Sequence, residues 1–276
     1  MRGERLAIGV LGAGGRMGRA VIAEVLAAGD LELAGGVERP GHPACGAALG
    51  NGLVVAANAA AVAHRADVLV DFTTPEALAE HLRAAEDAGV ALVIGTTGLS
   101  PAHHAAIDAA ARSIPVLQAA NTSLGVNLLV ALVQEAAARL PGWDAEILDL
   151  HHGAKRDAPS GTALMLGEAV ARGRGARLEA VRLPPRDGLG DPRPAGGVGF
   201  AVLRGGTAAG DHQVLFLGPG ERLVLGHVAE DRAIFARGAV AAARWLAGRA
   251  PGRAHMAHVL DLVPSRARRS KRSRIR

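Results

Sequence analysis

Short apolar blocks recur through the first 120 positions of the chain, separated by longer stretches whose apolar side chains fall at helical spacing. The blocks at 6–11, 31–37, 66–72, 90–94 and 114–119 are five to seven residues long and nearly continuous in apolar character. Runs of that length are strands rather than helices, and their lack of alternation predicts burial on both faces. A glycine loop and a helical stretch to about Ala28 follow the first block. Thr74-Pro75-Glu76 and Ser100-Pro101 each place a hydroxyl before a proline, a cap and a first helical residue. Gly89 is placed to stop the helix that begins at Thr74. Strand–helix alternation of this kind predicts a Rossmann-like parallel sheet with helices on both faces.

Beyond residue 124 the pattern changes. A long apolar helix at 124–140 leads to a strand at 143–150 and a helix at 163–171. Blocks at 199–203, 213–217 and 222–225 then alternate and are divided by glycine turns. That predicts a second, α+β domain on a mostly antiparallel sheet. Residues 231–248 form a last amphipathic helix. The 276 residues suffice for two cores.

Composition alters this picture in one respect. The chain is 49% hydrophobic and 21% charged, as a soluble globular protein is, but its net charge of +5 suggests a polyanion partner. Seven basic residues lie within 265–276, and removing them leaves −2 on the remainder. The basicity belongs to a tail expected to be disordered, so nucleic acid is at most a weak partner through it. Cys45 is the only cysteine, which excludes an intrachain disulfide framework and fits a reducing, cytoplasmic setting. The first apolar run is too short for a secretory signal. The long uncharged run 113–134 is broken by Pro115, Gln118, Asn121, Gly125 and Asn127, so no membrane span is expected.

Candidate chemistry begins at Gly12-Ala13-Gly14-Gly15-Arg16-Met17-Gly18, between the first strand and the first helix. The G-x-G-x-x-G template fails at Met17, whereas G-x-x-G-x-x-G fits through Gly12, Gly15 and Gly18. Amide N–H groups and a helix dipole there would face a pyrophosphate. Glu38 ends the second strand, twenty residues past Gly18, where a carboxylate can accept from ribose hydroxyls; Arg39 beside it tolerates a 2′-phosphate. Both NADH and NADPH are therefore expected cofactors. Gly95-Thr96-Thr97 and Ala119-Ala120-Asn121-Thr122 lie at the C-terminal ends of strands, where open α/β sheets bind ligands.

The segment His151-His152-Gly153-Ala154-Lys155-Arg156-Asp157-Ala158-Pro159-Ser160-Gly161-Thr162 carries the most chemistry. An arginine-rich chain places its one lysine outside the tail at Lys155. Lysine can surrender its proton where arginine cannot, so proton transfer gives a reason for the choice. His151 and His152 add donors near neutral pH, and Ser160-Gly161-Thr162 opens a helix able to receive an anion. No cysteine or acid stands at ligand spacing, so no metal is expected. His103 and His104 read as solvent-facing, His42, His64, His81, His255 and His258 as lacking partners at readable spacing, and Cys45 as a small buried or semi-buried side chain.

Together GAGGRMG (12–18), Glu38-Arg39, VDFTTPEA (70–77), GTTG (95–98), AANTSLGVN (119–127), HHGAKRDAPSGTAL (151–164) and GFAVLRGGTAAGDH (199–212) resemble the 4-hydroxy-tetrahydrodipicolinate reductase family over about residues 6–263. The resemblance implies that His151 donates or accepts a proton and that Lys155 is a second donor. His152, Gly161 and Thr162 would bind a cyclic dicarboxylate, with Ser160 close by. Gly12–Met17, Glu38, Arg39, 95–97, 119–122 and Arg232 would hold the nicotinamide cofactor. It also implies a discontinuous dinucleotide domain (1–123 and 233–276) around a substrate and oligomerisation domain (124–232), assembled as a homotetramer. Gly153 and Thr122 depart from the family, where a basic and an aromatic residue are common. Two other readings remain: a related two-domain dehydrogenase, or a non-catalytic dinucleotide sensor whose tail binds nucleic acid.

Overall fold

The structure is a computed structural model that describes residues 5–50 and 52–263; the basic tail at 265–276 lies outside the described residues. Two compact units are present, one running to Leu124 and resuming at Ala233, the other Gly125–Arg232. In chain order the first unit supplies β1 (Leu6–Leu11), α1 (Arg16–Ala27), β2 (Leu31–Val37), β3 (Ala48–Gly50), β4 (Leu53–Ala56), α2 (Ala60–Ala63) and β5 (Val68–Asp71). It continues with α3 (Leu78–Ala88), β6 (Ala91–Ile94), α4 (Pro101–Ala110) and β7 (Pro115–Gln118). Then α5 (Leu124–Arg139) opens the second unit, followed by β8 (Asp144–His151), α6 (Gly161–Gly173), α7 (Leu178–Val181), β9 (Val198–Arg204), β10 (Gly210–Gly218) and β11 (Glu221–Ala229). The chain returns through α8 (Ala233–Leu246), β12 (Gly252–Ala254) and α9 (Met256–Val259).

The first sheet has the order β12-β7-β6-β5-β1-β2-β4-β3 and is parallel except for the antiparallel β3–β4 pair at its edge. Strand order reverses between β1 and β5, so their C-terminal ends border the crevice where such sheets bind ligands. One face is covered by α1 and α8, with Val21, Ile22 and Val25 sharing a core with Ala236, Ala239 and Val240. The other is covered by α3 and α4, through Leu78, Leu82 and Ile107. These two cores explain why the strands read as continuous apolar runs.

Details depart from the pattern. β3 and β4 are too short and too exposed to register as apolar blocks. Thr74 makes no side-chain cap: Pro75–Ala77 is a 3₁₀ turn, and the helix proper starts at Leu78. Ser100 does cap α4, and His103 completes a capping box by accepting from the Ser100 N–H at 3.0 Å. His103 and His104 therefore do not simply face solvent; His104 Nδ1 stands 3.0 Å from Arg253 Nη2. Gly89 ends α3 at φ 66°, the left-handed stop expected of it.

The second sheet runs β11-β10-β8-β9. Two of its pairings are antiparallel, while β8–β9 is parallel because α6 and α7 form the crossover between them. Ile147, Val214 and Phe216 pack against Leu129 and Val133 of α5 and Leu166 and Val170 of α6. No helix among the described residues is long and apolar enough to cross a membrane.

Candidate active site

In the first unit the glycine loop is built by close approach. Gly12 adopts φ +83°, and a Cβ on Gly18 would lie 2.0 Å from the Gly12 carbonyl oxygen, so only glycine lets the loop lie on the first turn of α1. Gly15 is the N-cap; it offers no side chain, and no acid occupies the first turn. The helix thus presents open amides and its positive end to an anion. Glu38 is held over this loop, its Oε2 accepting from the Gly14 N–H at 3.0 Å and its Oε1 from the Arg39 N–H at 3.2 Å. Each oxygen keeps a lone pair for a ribose hydroxyl. A cavity of about 590 Å³ is lined by Gly12, Gly15, Glu38, Arg39, Thr73 and His81, among others. Glycines without Cβ atoms, bare amides and a fixed carboxylate fit a nicotinamide dinucleotide.

Other expected cofactor residues divide by role. Ala13 and Ala119 are buried, Arg16, Arg39, Thr97 and Ala120 are exposed, and Met17 is half-buried against the core. Thr96 is buried, and its hydroxyl donates to Asp71 Oδ1 at 3.1 Å while accepting from the Thr73 N–H. Asn121 uses Oδ1 to accept from the Ser123 N–H. Thr122 is buried and donates to the Phe235 carbonyl at 2.7 Å, so its hydroxyl fastens the loop after β7 to α8. His81, expected to lack a partner, is buried with Nδ1 2.8 Å from Asp71 Oδ2.

In the second unit β8 delivers His151 as its last residue, and the loop after it rests on 205–208 through the His152 and Gly153 amides. His151 is buried and turns Nδ1 toward Asp149 Oδ1 at 2.9 Å, ion-pair distance without the alignment of a hydrogen bond. Its pKa lies below the ordinary histidine value. Burial is the main cause; the Asp149 charge opposes it, and the nearby charges of His212, Lys155 and Arg204 add to it. His152 Nε2 accepts from Arg232 Nη2 at 3.1 Å, which sets Arg232, expected at the cofactor, beside a residue expected at the substrate. Lys155 Nζ pairs with Asp157 Oδ1 at 2.9 Å. Ser160 caps α6, accepting from the Ala163 N–H, and leaves Gly161 exposed and Thr162 half-buried at the helix start.

Sequence spacing missed Asp149, Arg204 and His212. Asp149 is fully buried, and although burial pushes its carboxyl up, donors from His212, Ser160 and Arg204 outweigh it and hold the pKa well below the usual range. Asp149, His151 and His212 bring ligand atoms within 4.8 Å of one another, so an acid does complete a cluster with the histidines. The carboxylate is already occupied by Ser160 and the Arg204 cation, which disfavours a metal there. The available signals were strand alternation, which puts Asp149 on the same face as His151, and the histidine of the GDH triplet at 210–212.

A parallel sheet with a dinucleotide cradle at its switch point, and a second unit carrying a buried imidazole beside a helix N-terminus, define a nicotinamide-dependent oxidoreductase. The chain matches the family models for the dihydrodipicolinate reductase N-terminus over residues 6–122 and C-terminus over residues 125–260. It is 50% identical over 262 residues to the 4-hydroxy-tetrahydrodipicolinate reductase of Parvibaculum lavamentivorans, covering 92% of this chain and 97% of that one. The reductase of Zymomonas mobilis is likewise 50% identical, with the same coverage. The chain belongs to the dihydrodipicolinate reductase family. Its fold is similar to that of a dipicolinate-bound dihydrodipicolinate reductase from Paenisporosarcina sp. TG-14, with TM-score 0.76, 23% identity, and coverage of 91% and 97%.

Proposed function

We propose that the chain catalyses NAD(P)H-dependent reduction of 4-hydroxy-tetrahydrodipicolinate to tetrahydrodipicolinate in diaminopimelate and lysine biosynthesis. Reductase relatives at half identity over nearly the full length support the reaction. The observation that carries the residue roles is the placement of His151 in the same unit as the Ser160-capped start of α6. The substrate loses water to give a conjugated imine. Bound nicotinamide supplies a hydride to the ring carbon that carried the hydroxyl. Electron density then accumulates at the neighbouring carbon, which must receive a proton. His151 delivers that proton, and Lys155 is the second donor. His152, Gly161 and Thr162 grip the carboxylates, with Ser160 fixing the helix start and the α6 dipole favouring negative charge.

Gly12, Ala13, Gly14, Gly15, Arg16 and Met17 would hold the pyrophosphate, and Glu38 and Arg39 the adenosine ribose with or without its 2′-phosphate. The loops at 95–97 and 119–122, together with Arg232, complete the cofactor contacts. The exposed apolar residues Val202, Leu203, Val224 and Val228 on β9 and β11 support assembly through this sheet, in the homotetramer that the family resemblance implies. A cytoplasmic setting accords with one unpaired cysteine in a biosynthetic enzyme. The test is loss of NADH absorbance when the chain meets substrate freshly made from pyruvate and aspartate semialdehyde. Rapid oxidation dependent on both precursors is expected; NADH binding without oxidation would identify a sensor instead.

A further inference from the structure

Asp149 stands two positions before His151, so strand alternation places both on one face of β8. Elements on three sides converge on its carboxylate. From the start of α6, Ser160 donates its N–H to Oδ2 at 2.7 Å and its hydroxyl to Oδ1 at 2.8 Å. From β9, Arg204 Nη2 donates to Oδ2 at 3.0 Å, while Nη1 donates to the Asp149 carbonyl at 2.9 Å. From β10, His212 Nε2 lies 3.2 Å from Oδ1 and 3.1 Å from Ser160 Oγ. His151 Nδ1 faces the same Oδ1 at 2.9 Å, and the two imidazole rings meet edge-on at 5.0 Å. A carboxylate has about four lone-pair sites; the three bonds from Ser160 and Arg204 leave one on Oδ1, which His212 Nε2 and His151 Nδ1 both face.

This arrangement constrains the chemistry of His151. A carboxylate oxygen 2.9 Å from Nδ1 favours hydrogen on that nitrogen over a bare lone pair, which leaves Nε2 to gain and lose the proton. Gly210 lies beside Nε2: a Cβ there would come within 3.0 Å of it, whereas glycine leaves the approach clear. The same carboxylate holds Ser160, whose hydroxyl caps α6 through the Ala163 N–H at 3.2 Å. The imidazole and the helix start are thus tied to one buried anion.

We propose that Asp149 is the positioning residue of the proton-transfer step, fixing His151 as the Nδ1–H tautomer and registering its Nε2 against the anion-receiving start of α6. The proposal rests on His151 being the proton donor. His212 and Arg204 complete the device: both supply donors to the carboxylate, and the guanidinium balances its charge. The groups facing His151 are then Asp149 from its own strand, His212 from β10, Arg204 from β9 and Lys155 from the following loop, itself paired with Asp157.

Two measurements test it. In the unmutated protein, nitrogen-15 NMR of the histidine rings, with His151 assigned by its absence in His151→Gln, reads the tautomer directly. The Nδ1–H form is expected for neutral His151; the Nε2–H form, common in free histidine, would overturn the proposal without any variant having to fold. The second is the pH profile of Asp149→Asn. Removing a negative charge at this distance lowers the His151 pKa, so the basic limb of kcat/KM should move toward acid by about one to three pH units, with kcat down and NADH binding unchanged. A limb that stays in place in a folded Asp149→Asn protein makes Asp149 a purely structural link. If His151→Gln itself keeps full activity, the underlying assignment of the proton donor fails, a result distinguishable from either outcome above.

Discussion

The proposed reaction gives His151 and Arg39 opposite ends of the chemistry, and each can be read by its own perturbation. His151 is held below the ordinary histidine pKa mainly by burial, so the free enzyme carries the acid form only at a more acidic pH than an ordinary histidine would. Since kcat/KM reports the free enzyme, it should rise as pH falls through that region, and the limb should vanish in His151→Gln. Two arriving carboxylates favour the imidazolium, so the limb in kcat should lie at higher pH than that in kcat/KM; coincident limbs would mean that the substrate charge is not felt at His151. At the cofactor end, Arg39 is exposed beside the fixed Glu38 carboxylate. Arg39→Ala should weaken NADPH about tenfold or more, the scale of a lost charge-assisted bond, and NADH little. Equal losses in a titration of both cofactors would show that Arg39 does not meet the phosphate. Residue type singles out His151 and Lys155 as candidates, because an isolated lysine among arginines has a chemical reason. Asp149 was not legible, since apart from His151 its partners come from 11 to 63 positions away.

Elements fixed by backbone contact are the least forgiving. The first turn of α1 rests on the glycine loop so closely that Gly18→Ala would place a carbon 2.0 Å from a backbone oxygen. That variant should lose NADH binding, measured by fluorescence, while far-ultraviolet circular dichroism stays close to the parent's; retained affinity would show that the loop tolerates displacement. Continuous apolar runs marked β1, β2 and β5 to β7 because both faces of that sheet are covered. β3 and β4, at three and four residues and half exposed, give no such signal. The Thr74-Pro75 pair looked like a helix start and opens a 3₁₀ turn instead, whereas Ser100-Pro101 is a true cap because His103 answers it. Local chemistry alone does not separate the two.

At the scale of the whole molecule, the second unit interrupts the first, and α8 returns to share the core of α1. The hydrophobic pattern showed an amphipathic helix at that position; its destination came only from the family resemblance, because periodicity says which face is apolar and not what covers it. In the proposed division of labour, the first unit binds the dinucleotide and the second protonates and grips the substrate. The most direct test of that division is a paired measurement on His151→Gln, Lys155→Ala and Thr162→Ala, with NADH affinity by fluorescence in the absence of substrate and steady-state reduction in its presence. All three variants should bind NADH as the parent does. The first two should lose about 10²–10⁴-fold in kcat, the range of a general acid, and Thr162→Ala should act mainly on KM. Near-normal kcat in His151→Gln and Lys155→Ala together with lost NADH binding would contradict the account.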